Sequence, residues 1–182
     1  PSILSKYNLD KDFLIVLQHP VTTESNQSLN QINITLSAIN KFGMDALFIL
    51  PNNDTGFLNI SKKVKESGMK YVNSLSLNDY VNLLKRSKAL VGNSSSGIHE
   101  TNIFEIPTIN IGSRQAGRFK SNNVIDVAHD EEKILEALNS INAIRELNIE
   151  KPYGEGDSAK KIIEILADID ISQKVIQKQI TY

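Results

Sequence analysis

Residues 13–17 read Phe-Leu-Ile-Val-Leu, five apolar side chains with no polar interruption. A strand with one face in water alternates polar and apolar residues, so an unbroken run has to be covered on both faces. In a chain of this size that cover comes from helices packed on a parallel sheet. The pattern recurs at 46–50 (Ala-Leu-Phe-Ile-Leu), at 89–91 (Ala-Leu-Val) and at 107–111, the last closed by Gly112. Weaker strands are expected at 70–75 and 124–127.

Helical periodicity fills the intervals. Leu29, Ile32, Leu36 and Ile39 predict an amphipathic helix over 26–42, stopped by Gly43. Further helices are expected at 57–67, 79–86 and 98–104. Asp130 reads as the N-cap of another, with Glu131 and Glu132 in its first turn and Ile134, Leu135, Leu138 and Ile141 as its stripe. A closing helix over 158–169 would turn Ile162, Ile163, Ile165, Leu166 and Ile169 inward. Strands alternating with helices imply βαβ units, hence an α/β fold with a Rossmann-like parallel sheet and helices on both faces. Ligands of such sheets bind beyond the C-terminal strand ends. Three loops should therefore meet: those at His19, at Asn52 and at 92–97.

The composition closes off several classes of function. With 20 Lys plus Arg against 21 Asp plus Glu, no basic excess draws in nucleic acid or an anionic membrane. The absence of cysteine rules out disulfides, thiolate metal sites and a cysteine nucleophile. No apolar run approaches the roughly 20 residues that span a bilayer, and no signal-peptide pattern opens the chain. A cytoplasmic protein is the default expectation. At 182 residues the chain fits one domain. It opens on Pro1 rather than Met, so a piece of a longer polypeptide is expected. The tail over 172–182, with Val175, Ile176 and Ile180, is apolar enough to pack against a partner.

The turn Gly92-Asn93-Ser94-Ser95-Ser96-Gly97 joins a strand to a helix start. Unpaired backbone N–H groups there, with hydroxyls from Ser94, Ser95 and Ser96, form a site for a phosphate-like anion. An ordinary Ser-capped helix is the alternative, and the turn by itself fits both. No Lys follows at Walker spacing and no Gly-x-Gly-x-x-Gly is present, which argues against triphosphate hydrolysis and against a dehydrogenase. His19 follows a buried strand directly, where an imidazole can donate to a phosphate or move a proton. Asn52 and Asp54 occupy the equivalent loop of the next strand, though Asx residues also simply build turns. Glu100, one turn into the helix, can accept both hydroxyls of a ribose. Arg114 and Arg118 can neutralise a diphosphate. A solvated surface residue is the plainer reading of each. His99 and His129 show no ligand spacing, so no metal site is expected.

Five stretches, in order along nearly the whole chain, resemble the UDP-N-acetylglucosamine 2-epimerase family. They are Leu17-Gln18-His19-Pro20-Val21-Thr22-Thr23-Glu24, Pro51-Asn52-Asn53-Asp54-Thr55-Gly56, Val91-Gly92-Asn93-Ser94-Ser95-Ser96-Gly97-Ile98-His99-Glu100, Pro107-Thr108-Ile109-Asn110-Ile111-Gly112-Ser113-Arg114-Gln115 and Tyr153-Gly154-Glu155-Gly156. The His-Pro-Val-Thr-Thr-Glu form looks like the hydrolysing, sialic-acid-pathway branch; the non-hydrolysing branch usually carries Arg where this chain has Pro20. The resemblance implies a two-domain GT-B architecture, of which residues 1–182 match the C-terminal, UDP-binding half; the N-terminal half is not in this chain. It implies that His19, as the catalytic candidate, Ser94 and Ser95 contact the phosphates. Asn52 would line the nucleotide site, Glu100 hold the ribose and Arg114 bind the diphosphate. The implied reaction eliminates UDP from UDP-N-acetylglucosamine, and water adds to the glycal to give N-acetylmannosamine, with no cofactor. The implied partners are a UDP-sugar substrate, the missing half and, for the full-length protein, a second copy in a homodimer. Rival readings are a non-hydrolysing epimerase, an epimerase for a diacetamido nucleotide sugar, a GT-B glycosyltransferase and a non-catalytic nucleotide-sugar-binding module.

Overall fold

Strand β1 (Phe13–Leu17) runs through the middle of a six-stranded sheet. The computed structural model describes residues 2–154 and 156–169. Phe13, Leu14, Ile15 and Val16 are fully buried, each contributing roughly 1.5–3 kcal/mol relative to exposure. On one side β1 pairs with β2 (Asp45–Ile49), which pairs with β3 (Lys70–Val72). On the other it pairs with β4 (Ala89–Gly92), followed by β5 (Thr108–Ile111) and β6 (Val124–Val127). All five pairings are parallel and the order is β3-β2-β1-β4-β5-β6. The expected parallel sheet is present, and its order reverses between β1 and β4.

Helices cover both faces. Helices α2 (Ser28–Phe42), α3 (Phe57–Glu66) and α6 (Glu131–Asn139) bury Ile32, Ile39, Ile60, Val64, Ile134 and Leu138 against Leu14, Val16, Val91 and Ile109. The opposite face takes Leu83 and Leu84 of α4 (Leu77–Leu84) against Phe13, Ile15 and Leu90, with residues of α1 (Ile3–Lys6) packed beside them. Alternate residues of β1 thus serve two cores, which is why its sequence shows no alternation. Gly43 ends α2 in the left-handed region, its N–H donating to Ile39 O at 3.2 Å. Asp130 caps α6 by accepting from Lys133 N at 3.0 Å. After α6 comes α7 (Ile141–Arg145).

Several expectations need correction. The segment before α2 is a 3₁₀ turn over Thr22–Gln27, and Leu29 of the expected stripe is exposed. Strand β3 ends at Val72, short of the expected residue 75. The helix expected over 98–104 is a single turn, α5 (Ser96–His99). Thr101 Oγ1 donates to Gly97 O at 2.9 Å, a local bond that competes with helix continuation, and Glu105 takes φ 57 just ahead of Ile106-Pro107.

The chain divides into two compact units, Pro1–Pro152 and Tyr153–Tyr182. In the second, α8 spans Ser158–Asp168, and Ile162, Ile163, Ile165, Leu166 and Ile169 are exposed rather than inward as expected. Pro1, Glu155 and the tail with Val175, Ile176 and Ile180 lie outside the described residues. No described helix is long and apolar enough to cross a membrane.

Candidate functional site

The reversal between β1 and β4 opens a crevice where their C-terminal ends diverge. Gly92 brings β4 unusually close to β1 there. Its φ is 131, and a Cβ would sit 2.2 Å from Leu17 O. Only glycine fits both the backbone conformation and the approach. Asn93, 1% exposed, then fastens the two strand ends. His19 N donates to Asn93 Oδ1 at 2.7 Å, and Asn93 Nδ2 donates to His19 O at 2.8 Å. This paired clip aligns the His19 loop with the serine turn.

A third segment reaches the same point from the end of β5. Arg114 Nη1 donates to Asn93 O at 3.2 Å and Gln115 Nε2 donates to the same oxygen at 2.8 Å. Upstream, Ser113 Oγ donates to Glu24 Oε1 at 2.6 Å, and Gln31 Nε2 donates to Glu24 Oε2 at 2.8 Å. Glu24 therefore latches the loop carrying Arg114 to the segment that follows His19. The hydrogen bonds from Ser113 and Gln31 hold its carboxyl below the usual range.

The turn offers donors without a long helix behind them. Among the described residues, the backbone N–H groups of Ser94 and Ser95 have no acceptor, whereas Gly97 N donates to Ser94 O and Ile98 N to Ser95 O. Ser95 holds the N-cap position without a side-chain cap bond; Ser94 Oγ instead accepts from Ser96 N at 3.3 Å. Because α5 is one turn long, its dipole adds little. An anion here would rest on local N–H groups, hydroxyls and the Arg114 guanidinium.

Beside the turn lies a groove of about 280 Å³ lined by Leu17, Ile49, Asn73, Tyr80, Ser94–Ser96 and Glu100, among others. Ser96 Oγ donates to Glu100 Oε2 at 2.6 Å. Tyr80 OH hydrogen-bonds the same Ser96 oxygen. Burial pushes the Tyr80 phenol up to about 12, so it stays protonated through the neutral range.

His19 is 7% exposed, and its Nδ1 is buried with no partner among the described residues. Burial first, then the Arg114 charge, pulls the imidazole down to about 4 against an opposing pull from Asp54. At neutral pH it is uncharged, so it can donate one proton but brings no positive charge until an anion binds. The unfolded chain takes up a proton near pH 6.5, while the folded chain refuses it until about 4. The contribution of His19 to stability is therefore expected to fall as pH drops through that window, by about 3 kcal/mol for this group alone. Urea unfolding of the chain and of His19→Asn from pH 7 to pH 4 checks this. The variant should show a shallower decline, and equal declines would refute the assignment.

Of the sequence-predicted residues, His19, Ser94, Ser95, Glu100 and Arg114 stand around one crevice and its adjoining groove. The loop of Asn52 approaches too, since Asp54 acts on His19 and a Cβ on Gly56 would lie 3.2 Å from Pro20 Cβ. Asn52 itself is exposed and makes no hydrogen bond to these residues among those described. Arg118 pairs instead with His99, its Nη1 at 2.9 Å from Nε2. Sequence reasoning missed Asn93, Gln115 and Tyr80. Asn93 stood inside the turn, and an amide between a β-strand and serines was the signal available. Among the described residues, no group of three or more His, Asp or Glu is placed to hold a metal ion.

The sequence pattern of the UDP-N-acetylglucosamine 2-epimerase family matches residues 1–167. The chain belongs to that family. Over 138 residues it is 39% identical to the polysialic acid biosynthesis protein P7 of Escherichia coli, covering 72% of this chain and 35% of that one. It is 27% identical over 176 residues to the UDP-N,N'-diacetylbacillosamine 2-epimerase (hydrolyzing) of Legionella pneumophila, covering 94% and 47%. The fold matches the UDP-GlcNAc 2-epimerase of Neisseria meningitidis, solved bound to UDP-GlcNAc, with a TM-score of 0.69 at 18% identity, covering 88% and 45%. This family member thus has the Rossmann-like fold of one half of the GT-B epimerases, and it spans at most about half the length of these relatives.

Proposed function

We propose that this chain is the UDP-binding, C-terminal half of a hydrolysing UDP-N-acetylglucosamine 2-epimerase. The observation that carries the reading is the meeting of His19, the free Ser94 and Ser95 N–H groups and Arg114 on the Asn93 clip. A diphosphate seated there would face fixed donors and one guanidinium, with Glu100 at the ribose and Asn52 reached by the nucleotide's outer edge. As the C1–O bond of the sugar nucleotide breaks, negative charge gathers on the departing UDP. Donors already aimed at that charge lower the barrier without reorganising. His19 supplies a neutral N–H at the phosphates. Loss of the C2 proton then completes an anti elimination to the glycal, and water adds to give N-acetylmannosamine and free UDP. The groups that move the C2 proton belong to the other half of the enzyme.

Two observations favour hydrolysis: the His19-Pro20-Val21-Thr22-Thr23-Glu24 sequence and the hydrolysing relative from Legionella. That relative's name also supports a second substrate, a diacetamido nucleotide sugar, which would present the same UDP to this half. Calorimetric titration with UDP should give saturable one-to-one binding, and incubation with UDP-N-acetylglucosamine should release no N-acetylmannosamine from these 182 residues. Absence of UDP binding, or turnover by this chain, would overturn the reading. Product analysis of a full-length enzyme, without any acceptor sugar, separates epimerase from glycosyltransferase.

A further inference from the structure

Glu100 is exposed and sits at the end of a single helical turn, so nothing in its own backbone setting fixes where its carboxylate points. Ser96, four residues back on the same turn, and behind it Tyr80 from a different element do that. Ser96 has one hydroxyl proton, and it goes to Glu100 Oε2. The hydrogen bond between Tyr80 and Ser96 must then be donated by the phenol, which makes the chain directional: Tyr80 O–H to Ser96, Ser96 O–H to Glu100. Tyr80 comes from α4, whose Ser76 cap accepts from Asp79 N at 3.1 Å and whose Leu83 and Leu84 are fully buried. The relay therefore starts from an anchored helix. It occupies one lone pair of Oε2 and leaves Oε1 and the remaining lone pairs for a ligand's hydroxyls. Tyr80, Ser96 and Glu100 all line the same groove.

We propose that Tyr80 is a positioning residue that, through Ser96, fixes the Glu100 carboxylate so that the groove selects nucleotides carrying ribose hydroxyls. The inference rests on the proposed function, in which Glu100 faces the ribose. Tyr80→Phe keeps the ring in the groove wall and removes only the hydroxyl, so it isolates the relay from packing. UDP and 2′,3′-dideoxy-UDP are titrated into the chain, into Tyr80→Phe and into Ser96→Ala, and the ratio of their two dissociation constants is read.

The unaltered chain should prefer UDP by about tenfold or more, as expected for hydrogen bonds to a charged group. In Tyr80→Phe that preference should shrink to about threefold or less, with the dideoxy nucleotide bound as before. Ser96→Ala, which cuts the relay one residue further on, should shrink the preference in the same way. A preference retained in either variant, or an equal loss of both nucleotides, would refute the positioning role and leave the proposed function intact. An unaltered chain that binds both nucleotides equally would instead remove the ribose role of Glu100, and with it that part of the proposed function.

Discussion

Asn93→Ala should lower the unfolding free energy of the chain by about 4 kcal/mol, because two buried backbone groups lose their partners at once. His19 N and His19 O both bond to the Asn93 side chain, at 2.7 and 2.8 Å, in a position 1% exposed. Alanine supplies neither donor nor acceptor, and water has little access to replace them. The neighbouring bonds to the Asn93 carbonyl, from Arg114 and Gln115, use backbone and are available to the variant. The loss is thus confined to the link between β1 and β4. Asn93→Asp tests the geometry separately: Oδ1 can still accept from His19 N, but a carboxylate oxygen then faces His19 O. It should destabilise comparably, more so as the carboxylate ionises. Denaturant unfolding measures both. A change under about 1 kcal/mol in Asn93→Ala would mean that the clip does not hold the two loops together.

The sheet was legible because burial on both faces writes itself as continuous apolar runs. Phe13–Leu17 and Val124–Val127 have the expected bounds, and the others lie within a few residues. Helices with an amphipathic stripe and a stop, such as α2 before Gly43, were equally plain. What misled was local competition that periodicity does not register. Ile98 and Phe104 look helical by type, yet after one turn Thr101 N bonds to Ser96 O, the Thr101 hydroxyl takes Gly97 O, and the chain further on turns left-handed at Glu105. The apolar stripe of α8 carried no mark of whether its own unit would cover it. At the site, charged and hydroxyl residues in strand-end loops drew the eye, and those loops do converge. The residues that hold them together did not stand out. Asn93, Gln115 and Tyr80 act through pairings 74, 22 and 16 residues apart in sequence, which no local pattern encodes.

If the proposed function holds, Arg114→Ala is expected to weaken UDP binding by about 100-fold, as for the loss of a charge-assisted contact to phosphate. Its side chain reaches Asn93 O at 3.2 Å, so the guanidinium lies at the turn whose Ser94 and Ser95 N–H groups are free. The fold should be little changed, because Gln115 Nε2 keeps Asn93 O paired at 2.8 Å and Ser113 keeps the loop tied to Glu24. Arg114→Lys restores the charge without the planar fork and should recover about half of the lost binding free energy. Salt distinguishes the two contributions. Raising ionic strength should weaken UDP binding to the unaltered chain and to Arg114→Lys, but much less to Arg114→Ala. The variant also has a signature that needs no ligand. Arg114 is one cause of the depressed His19 proton affinity, so its removal should move the His19 titration upward from about 4, toward the ordinary value, as read from the imidazole proton resonances. Burial, the larger cause, remains in place and keeps the shift partial. An Arg114→Ala chain that binds UDP as tightly as the original, with His19 titrating unchanged, would place the guanidinium outside the anion site and dissolve the grouping on which the proposed function stands.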